Sequence, residues 1–170
     1  NKKKIHSIML RINILYMIQN AGSGHIGTSF SSIDLVNYLY FDFLKKEDIY
    51  FSSKGHDAPA LYSVLMAKNI LPISKIHKFR KINGLPGHPD IETKGIFTNT
   101  GSLGMGVSKA KGFLISNNLK KKNGKVIVLT GDGELQEGQF WESILKIPKN
   151  IAKNLIIIVD NNKYQSDLLV

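Results

Sequence analysis

At 170 residues, 42% of them hydrophobic, the chain has enough apolar side chain for one core, and a single domain over 1–170 is expected from the roughly 100–200 residues of a typical domain. With no cysteine, disulfides and thiolate-held zinc are excluded, which suits a reducing, cytoplasmic setting. The formal charge of +10 comes from basic residues scattered along the chain, apart from runs at 2–4 and 120–122. It forms no basic and aromatic stripe of the kind that binds nucleic acid.

Ile5, Ile8, Met9, Ile12, Leu15, Tyr16 and Gln19 fall at three- and four-residue steps and predict an amphipathic helix ending before Gly22, with His6 off the stripe. His6, Arg11 and Asn13 interrupt what otherwise imitates a secretory leader, and no apolar run approaches the roughly 20 residues that span a bilayer. A second helix is expected to start after Ser31 or Ser32, either of which can cap it, and to run through Leu35, Leu39 and Phe43. The apolar piece 49–53 leads into the loop Ser53-Lys54-Gly55-His56, a helix follows over about 57–69, and Pro72 is placed to open another. Residues 83–90 are too rich in Gly and Pro for regular structure. From 101 to about 119 the pattern is helical but crowded with Gly, Ala and Ser. Glycine weakens a helix, so close packing on a neighbour is the expected compensation.

The last third is the clearest. The runs 125–130 and 154–160 are β-branched without polar alternation and flank a helical stretch over about 137–147, which reads as strand, helix and strand with both strands buried on both faces. Such units make parallel sheets with right-handed crossovers, and their ligands bind beyond the carboxyl ends of the strands. The expected fold class is therefore α/β, a three-layer α/β/α arrangement on a mainly parallel sheet.

Gly131-Asp132-Gly133 follows the first of those strands and Asp160-Asn161-Asn162 the second, so both loops open on one sheet edge. The Asp132 carboxylate, the Asn162 amide oxygen and a nearby main-chain carbonyl make an all-oxygen set, better suited to magnesium than to zinc. Diphosphate oxygens and water would complete the octahedron, with Gly131 and Gly133 letting backbone N–H groups approach the phosphates. Three of the five histidines follow a glycine in a loop, at His25, His56 and His88. Histidine titrates near neutrality, so this pattern suits acid/base work on a polar or phosphorylated ligand. His6 and His77 lie in helical segments and read as structural.

The segments NAGSGHIGTSFSSIDLVNYLY, FSSKGHDAPALYSVL, GLPGHPD, TNTGSLGMGVSKAKG, GDGELQEGQFWES and VDNNKYQSD occur in this order, and the chain resembles the amino-terminal part of transketolase over nearly all its length. Pyruvate dehydrogenase and its relatives are similar only in the last two segments and are not expected to carry the three Gly-His loops. The resemblance implies a thiamine-diphosphate-binding fold and the transfer of a two-carbon ketol unit from a ketose phosphate to an aldose phosphate, with the cofactor as electron sink. It implies that Asp132, Asn162 and the main-chain oxygen of Tyr164 bind Mg2+ or Ca2+ together with the diphosphate, which Gly133 and His56 touch. Gly101 and Leu103 would lie against the aminopyrimidine and thiazolium, and Glu137 would support the subunit interface and cofactor network. His25 and His88 would line the substrate channel and, with His56, make up the catalytic histidines. Ser102 stands where transketolases often carry proline, a departure from the family pattern that bears on the shape of that loop.

The family pattern continues past the Asn pair and adds a pyrimidine-binding domain whose glutamate activates the cofactor, and no glutamate here takes that role. A split enzyme is expected first, in which a second, C-terminal transketolase-like chain supplies the pyrimidine-binding domain and the assembly is a dimer or heterotetramer. A truncated product and a decayed relative follow. The run LIIIVD would then need a partner or further chain to cover it. Two alternatives stand beside this reading. One is a deoxyxylulose-phosphate synthase-like or other thiamine-diphosphate enzyme component, and the other a catalytically degenerate or basic binding protein.

Overall fold

In the computed structural model, which describes residues 2–165 and 168–169, the chain forms two compact units. A helical unit comprises Asn1–Phe43 and Gly55–Asn99, and a sheet unit comprises Leu44–Lys54 and Thr100–Val170.

In the helical unit, α1 (Lys2–Ala21), α2 (Ile26–Tyr38) and α3 (Ala58–Ala67) pack on one another. Nine consecutive residues of α3, Ala58 to Met66, are buried, as an apolar helix surrounded by others must be. The face that α1 buries is not the expected one. Leu10, Ile14, Met17 and Ile18 are inside, whereas Ile5, Ile8, Met9, Ile12, Leu15 and Tyr16 are exposed, from 39% to 60%. Because α1 is apolar on two sides, spacing alone allows either choice. The flanking bonds belong to the buried solution: Ser63 donates to the Leu10 carbonyl at 3.0 Å, and Arg11 pairs with Asp34 at 2.8 Å. Ser7 and Arg11 hold the Asp34 carboxyl below the usual carboxylate range, chiefly through the Arg11 hydrogen bond and against the opposing effect of burial.

The second helix begins at Ile26, before the expected start, with His25 in extended conformation ahead of it and no side-chain cap. Ser31 and Ser32 lie inside the helix, their hydroxyls donating to the Thr28 carbonyl at 3.0 Å. The chain then widens into a π-type turn over Leu39–Phe43. After Pro72 a 3-10 turn, Ile73–Lys78, is tied to α1 by the Tyr16 hydroxyl on His77 Nδ1 (2.6 Å) and by Asn20 donating to the His77 carbonyl (2.9 Å), in keeping with a structural His77.

The sheet unit is built on three parallel strands, β1 (Ile49–Ser52), β2 (Val126–Gly131) and β3 (Leu155–Asp160), in the order β1-β2-β3. Phe51, Val126 and Val128 meet Val107, Ala110 and Leu114 of α4 (Gly106–Leu119), Phe140 of α5 (Gly138–Leu145) and Ile151 of α6 (Lys149–Ala152) in one hydrophobic cluster. The close packing expected of the glycine-rich helix occurs at one point. A Cβ on Gly106 would fall 2.4 Å from Ser53 Cβ, whereas Gly112 has open space around it. Central β2 is buried as expected, but β3 is only half-buried, with Val159 38% exposed, because among the described residues it pairs on one side only. A short antiparallel pair, β4 (Tyr164–Gln165) and β5 (Leu168–Leu169), follows, and Ser166 and Asp167 of the last motif lie outside the described residues.

Candidate cofactor and metal site

Parallel pairing puts Gly131, the last residue of β2, opposite Asp160, the last of β3, so the two loops of interest leave the sheet side by side. Asp132 is 7% exposed, and its carboxylate receives two backbone N–H groups, Gly133 at 3.0 Å on Oδ1 and Lys163 at 2.6 Å on Oδ2. The second bond joins the loops directly. Asn162 folds its amide oxygen back onto the Tyr164 N–H at 2.9 Å, and Lys163 between them takes a left-handed φ of 64°. A cleft of about 460 Å³ opens here, lined by Asp132, Leu135, Gln136, Val159, Asn161 and Lys163.

These donors are a carboxylate, a side-chain amide and peptide carbonyls, with lone pairs left after the bonds just described. The set fits a hard divalent cation that shares its shell with phosphate oxygens. No group of three or more His, Cys, Asp or Glu side chains among the described residues is placed to hold a metal ion, so carbonyl and amide oxygens would have to complete any such shell.

Gly101 and Leu103 lie in the turn ahead of α4, and Glu137 stands exposed at the start of α5. The turn approaches Glu137 closely: Gly104, at φ 78°, would carry a Cβ 2.8 Å from Glu137 Cβ, so both the backbone angle and the space demand glycine. The single tryptophan, Trp141, donates to the Leu135 carbonyl at 2.7 Å and so is fastened to the segment after Asp132.

Several residues with a clear place here carried no sequence assignment. Glu134, 2% exposed, accepts from Ser53 Oγ (2.5 Å), Gly104 N (2.8 Å) and Gly131 N (2.9 Å). Its position three residues after Gly131 is the spacing at which a carboxylate reaches back to the backbone before a helical turn, and that was the available signal. Lys54, 3% exposed, pairs with Asp160 at 2.6 Å, its stem lying against Gly131. An acidic residue closing an apolar strand pointed to the Asp160 end of this pair, and nothing in sequence singled out Lys54.

In the helical unit, the rings of His25 and His56 meet edge to face with centroids 5.2 Å apart. Partial removal from water, then the charges of Arg80 and His25, hold His88 below the usual histidine range, with Asp57 pulling the other way. The three Gly-His loops therefore converge, as their shared context suggested, and bring Arg80 and Asp57 with them. Tyr62 anchors the His88 loop by donating to the Pro86 carbonyl at 3.0 Å.

Residues 2–168 match the family described as transketolase, thiamine diphosphate binding domain. The chain is 37% identical, over 96% of its length, to an apulose-4-phosphate transketolase subunit of Actinobacillus succinogenes, of which it spans 63%. It is 34% identical, over 94% of its length, to a 6-deoxy-6-sulfo-D-fructose transketolase subunit of a Clostridium species, of which it spans 62%. The crystal structure of transketolase from Campylobacter jejuni superposes on 94% of the chain with a TM-score of 0.81 at 30% identity, the chain covering 28% of that protein. The α/β fold class expected from sequence is thus borne out. No described helix is long and apolar enough to cross a membrane. The chain belongs to the transketolase thiamine-diphosphate-binding domain family.

Proposed function

We propose that the chain is the diphosphate-binding component of a transketolase-type transferase, moving a two-carbon ketol unit from a ketose phosphate to an aldose phosphate. The bond from Lys163 N to Asp132 Oδ2 carries this reading, since it brings the Gly-Asp-Gly and Asn-Asn loops together at one cleft whose lining includes Asp132 and Asn161. Asp132, Asn162 and the Tyr164 carbonyl would hold Mg2+, and Gly133 and His56 would contact the diphosphate. Gly101 and Leu103 would contact the rings, and Glu137 would support the cofactor network. When bound, thiamine diphosphate supplies the electron sink that carbon–carbon cleavage needs. The chain's own work is to orient that group and, through His25, His56 and His88, to hold sugar hydroxyls and move protons.

The relatives named as subunits support a split arrangement in which a second chain brings the pyrimidine-binding domain. The absence of cysteine agrees with a cytoplasmic setting. Calorimetric titration of thiamine diphosphate with Mg2+ into the chain, purified with any chain it carries, tests the reading. Asp132→Ala is expected to weaken binding by about 100-fold or more. Undiminished affinity in that variant would remove Asp132 from the metal site, and product analysis with paired ketose donors and aldose acceptors then reads the transfer itself.

A further inference from the structure

Glu134 is a heavily engaged buried side chain of the sheet unit that the proposed chemistry does not use. Its carboxylate collects three donors from three places. Ser53 lies just past β1, Gly104 in the turn that carries Gly101 and Leu103, and Gly131 in the peptide immediately before Asp132. Ser53 in turn accepts the Gly106 N–H at 3.1 Å, so the first turn of α4 hangs on the same group. Every one of these donors is a backbone N–H or hydroxyl that would lose its partner if the carboxylate were removed, and an unsatisfied buried donor is costly. A short hydrophobic residue could fill the space, but it could not tie the turn to the loop.

We infer that Glu134 is a positioning residue for the cofactor site, clamping the Gly101–Gly104 turn to the Gly131–Gly133 loop so that the metal-binding and ring-contacting segments keep a fixed spacing. The inference rests on the cofactor reading above. It concerns only the chain's own residues and needs no contact between Glu134 and any ligand. A carboxylate is required because all three partners donate, and both of its oxygens accept. Glutamine has nearly the same shape but only one accepting oxygen. Whichever way its amide turns, one backbone N–H faces another donor and the clamp opens on that side.

The test is binding of thiamine diphosphate, titrated by calorimetry across a Mg2+ series, to the wild-type chain, with any chain that copurifies, and to Glu134→Gln, Asp132→Ala and Ser143→Ala. Ser143 is equally buried in the same unit, and its hydroxyl bonds to Ser108 and Gln139, away from both loops, so its loss reports a purely structural effect. Glu134→Gln is expected to keep the wild-type circular dichroism, to bind the cofactor about 10-fold more weakly and to need more Mg2+ for half-saturation, as outer residues that orient ligands do. Ser143→Ala is expected to change neither. Ser53→Ala strips one donor from the same carboxylate and carries the test if Glu134→Gln does not fold, with a several-fold loss expected. Wild-type affinity in whichever of these variants folds, alongside loss in Asp132→Ala, overturns the positioning role and leaves the cofactor reading standing. No binding by the wild-type assembly overturns both.

Discussion

The two units solve the same problem, holding loops in place, by different means. The helical unit holds its Gly-His loops with exposed or backbone-directed bonds, Arg80 on the Ser23 hydroxyl and Tyr62 on the Pro86 carbonyl, and its Arg11–Asp34 pair lies toward solvent. The sheet unit fixes its loops with charged side chains drawn inside, Lys54 with Asp160 and Glu134 with three donors. Backbone leaving the end of a parallel strand has no further ladder to pair with, so its N–H groups need side-chain acceptors, and a carboxylate is the acceptor with most capacity.

If this contrast is sound, the largest effect of breaking a charged pair belongs to the sheet unit. Lys54→Met takes the buried ammonium away from the Asp160 carboxylate and is expected to cost about 3–5 kcal/mol in urea unfolding, whereas Lys54→Met together with Asp160→Leu should recover much of it. A single variant as stable as wild type would show the pair to be dispensable. On the helical side the comparable loss comes from packing. Ile14→Ala is expected to cost about 2–5 kcal/mol, and Ile12→Ala, on the exposed face of the same helix, no more than about 0.5 kcal/mol. Equal losses would mean that the exposed face is covered in solution. The smallest effect concerns pH. His88 has its proton affinity lowered in the folded chain, so the unfolded chain binds protons more readily as pH falls through the ordinary histidine range, near 6.5. Stability is therefore full above that range and declines below it, and His88→Gln should flatten the decline seen in thermal melts between about pH 7 and 5. Because His88 remains exposed, the slope should be shallow.

Much of the sheet unit was legible because β2 and its glycine loop obey local rules: an unbroken β-branched run, then residues that only a turn accepts. Among the described residues β3 pairs on one side only, and its half-buried state was not legible in the run itself, since such a strand can be as apolar as a central one. The expectation that LIIIVD needs further cover came from the family pattern. The exposed face of α1 was misread for a related reason. A helix apolar on two sides has no unique inward face until Ser63 and Asp34 are brought beside it from distant positions in the chain. The Gly-His pattern announced the convergence of His25 and His56, but Arg80 and Asp57 joined it from contexts that carried no signal. Glu134 could have been found from spacing to Gly131, whereas its grip on Gly104 and Ser53 depends on long-range folding.

The placement of the only indole has a practical corollary. Trp141 hangs on the Leu135 carbonyl within the sheet unit, while four of the six tyrosines, Tyr16, Tyr38, Tyr40 and Tyr62, belong to the helical unit, together with the longest helix, α1. Emission excited at the red edge of protein absorption therefore reports the neighbourhood of Asp132 alone, and far-ultraviolet ellipticity is weighted toward the helices. One unlabelled sample, watched in both channels, separates the sheet unit's indole signal from the helical signal of the whole chain.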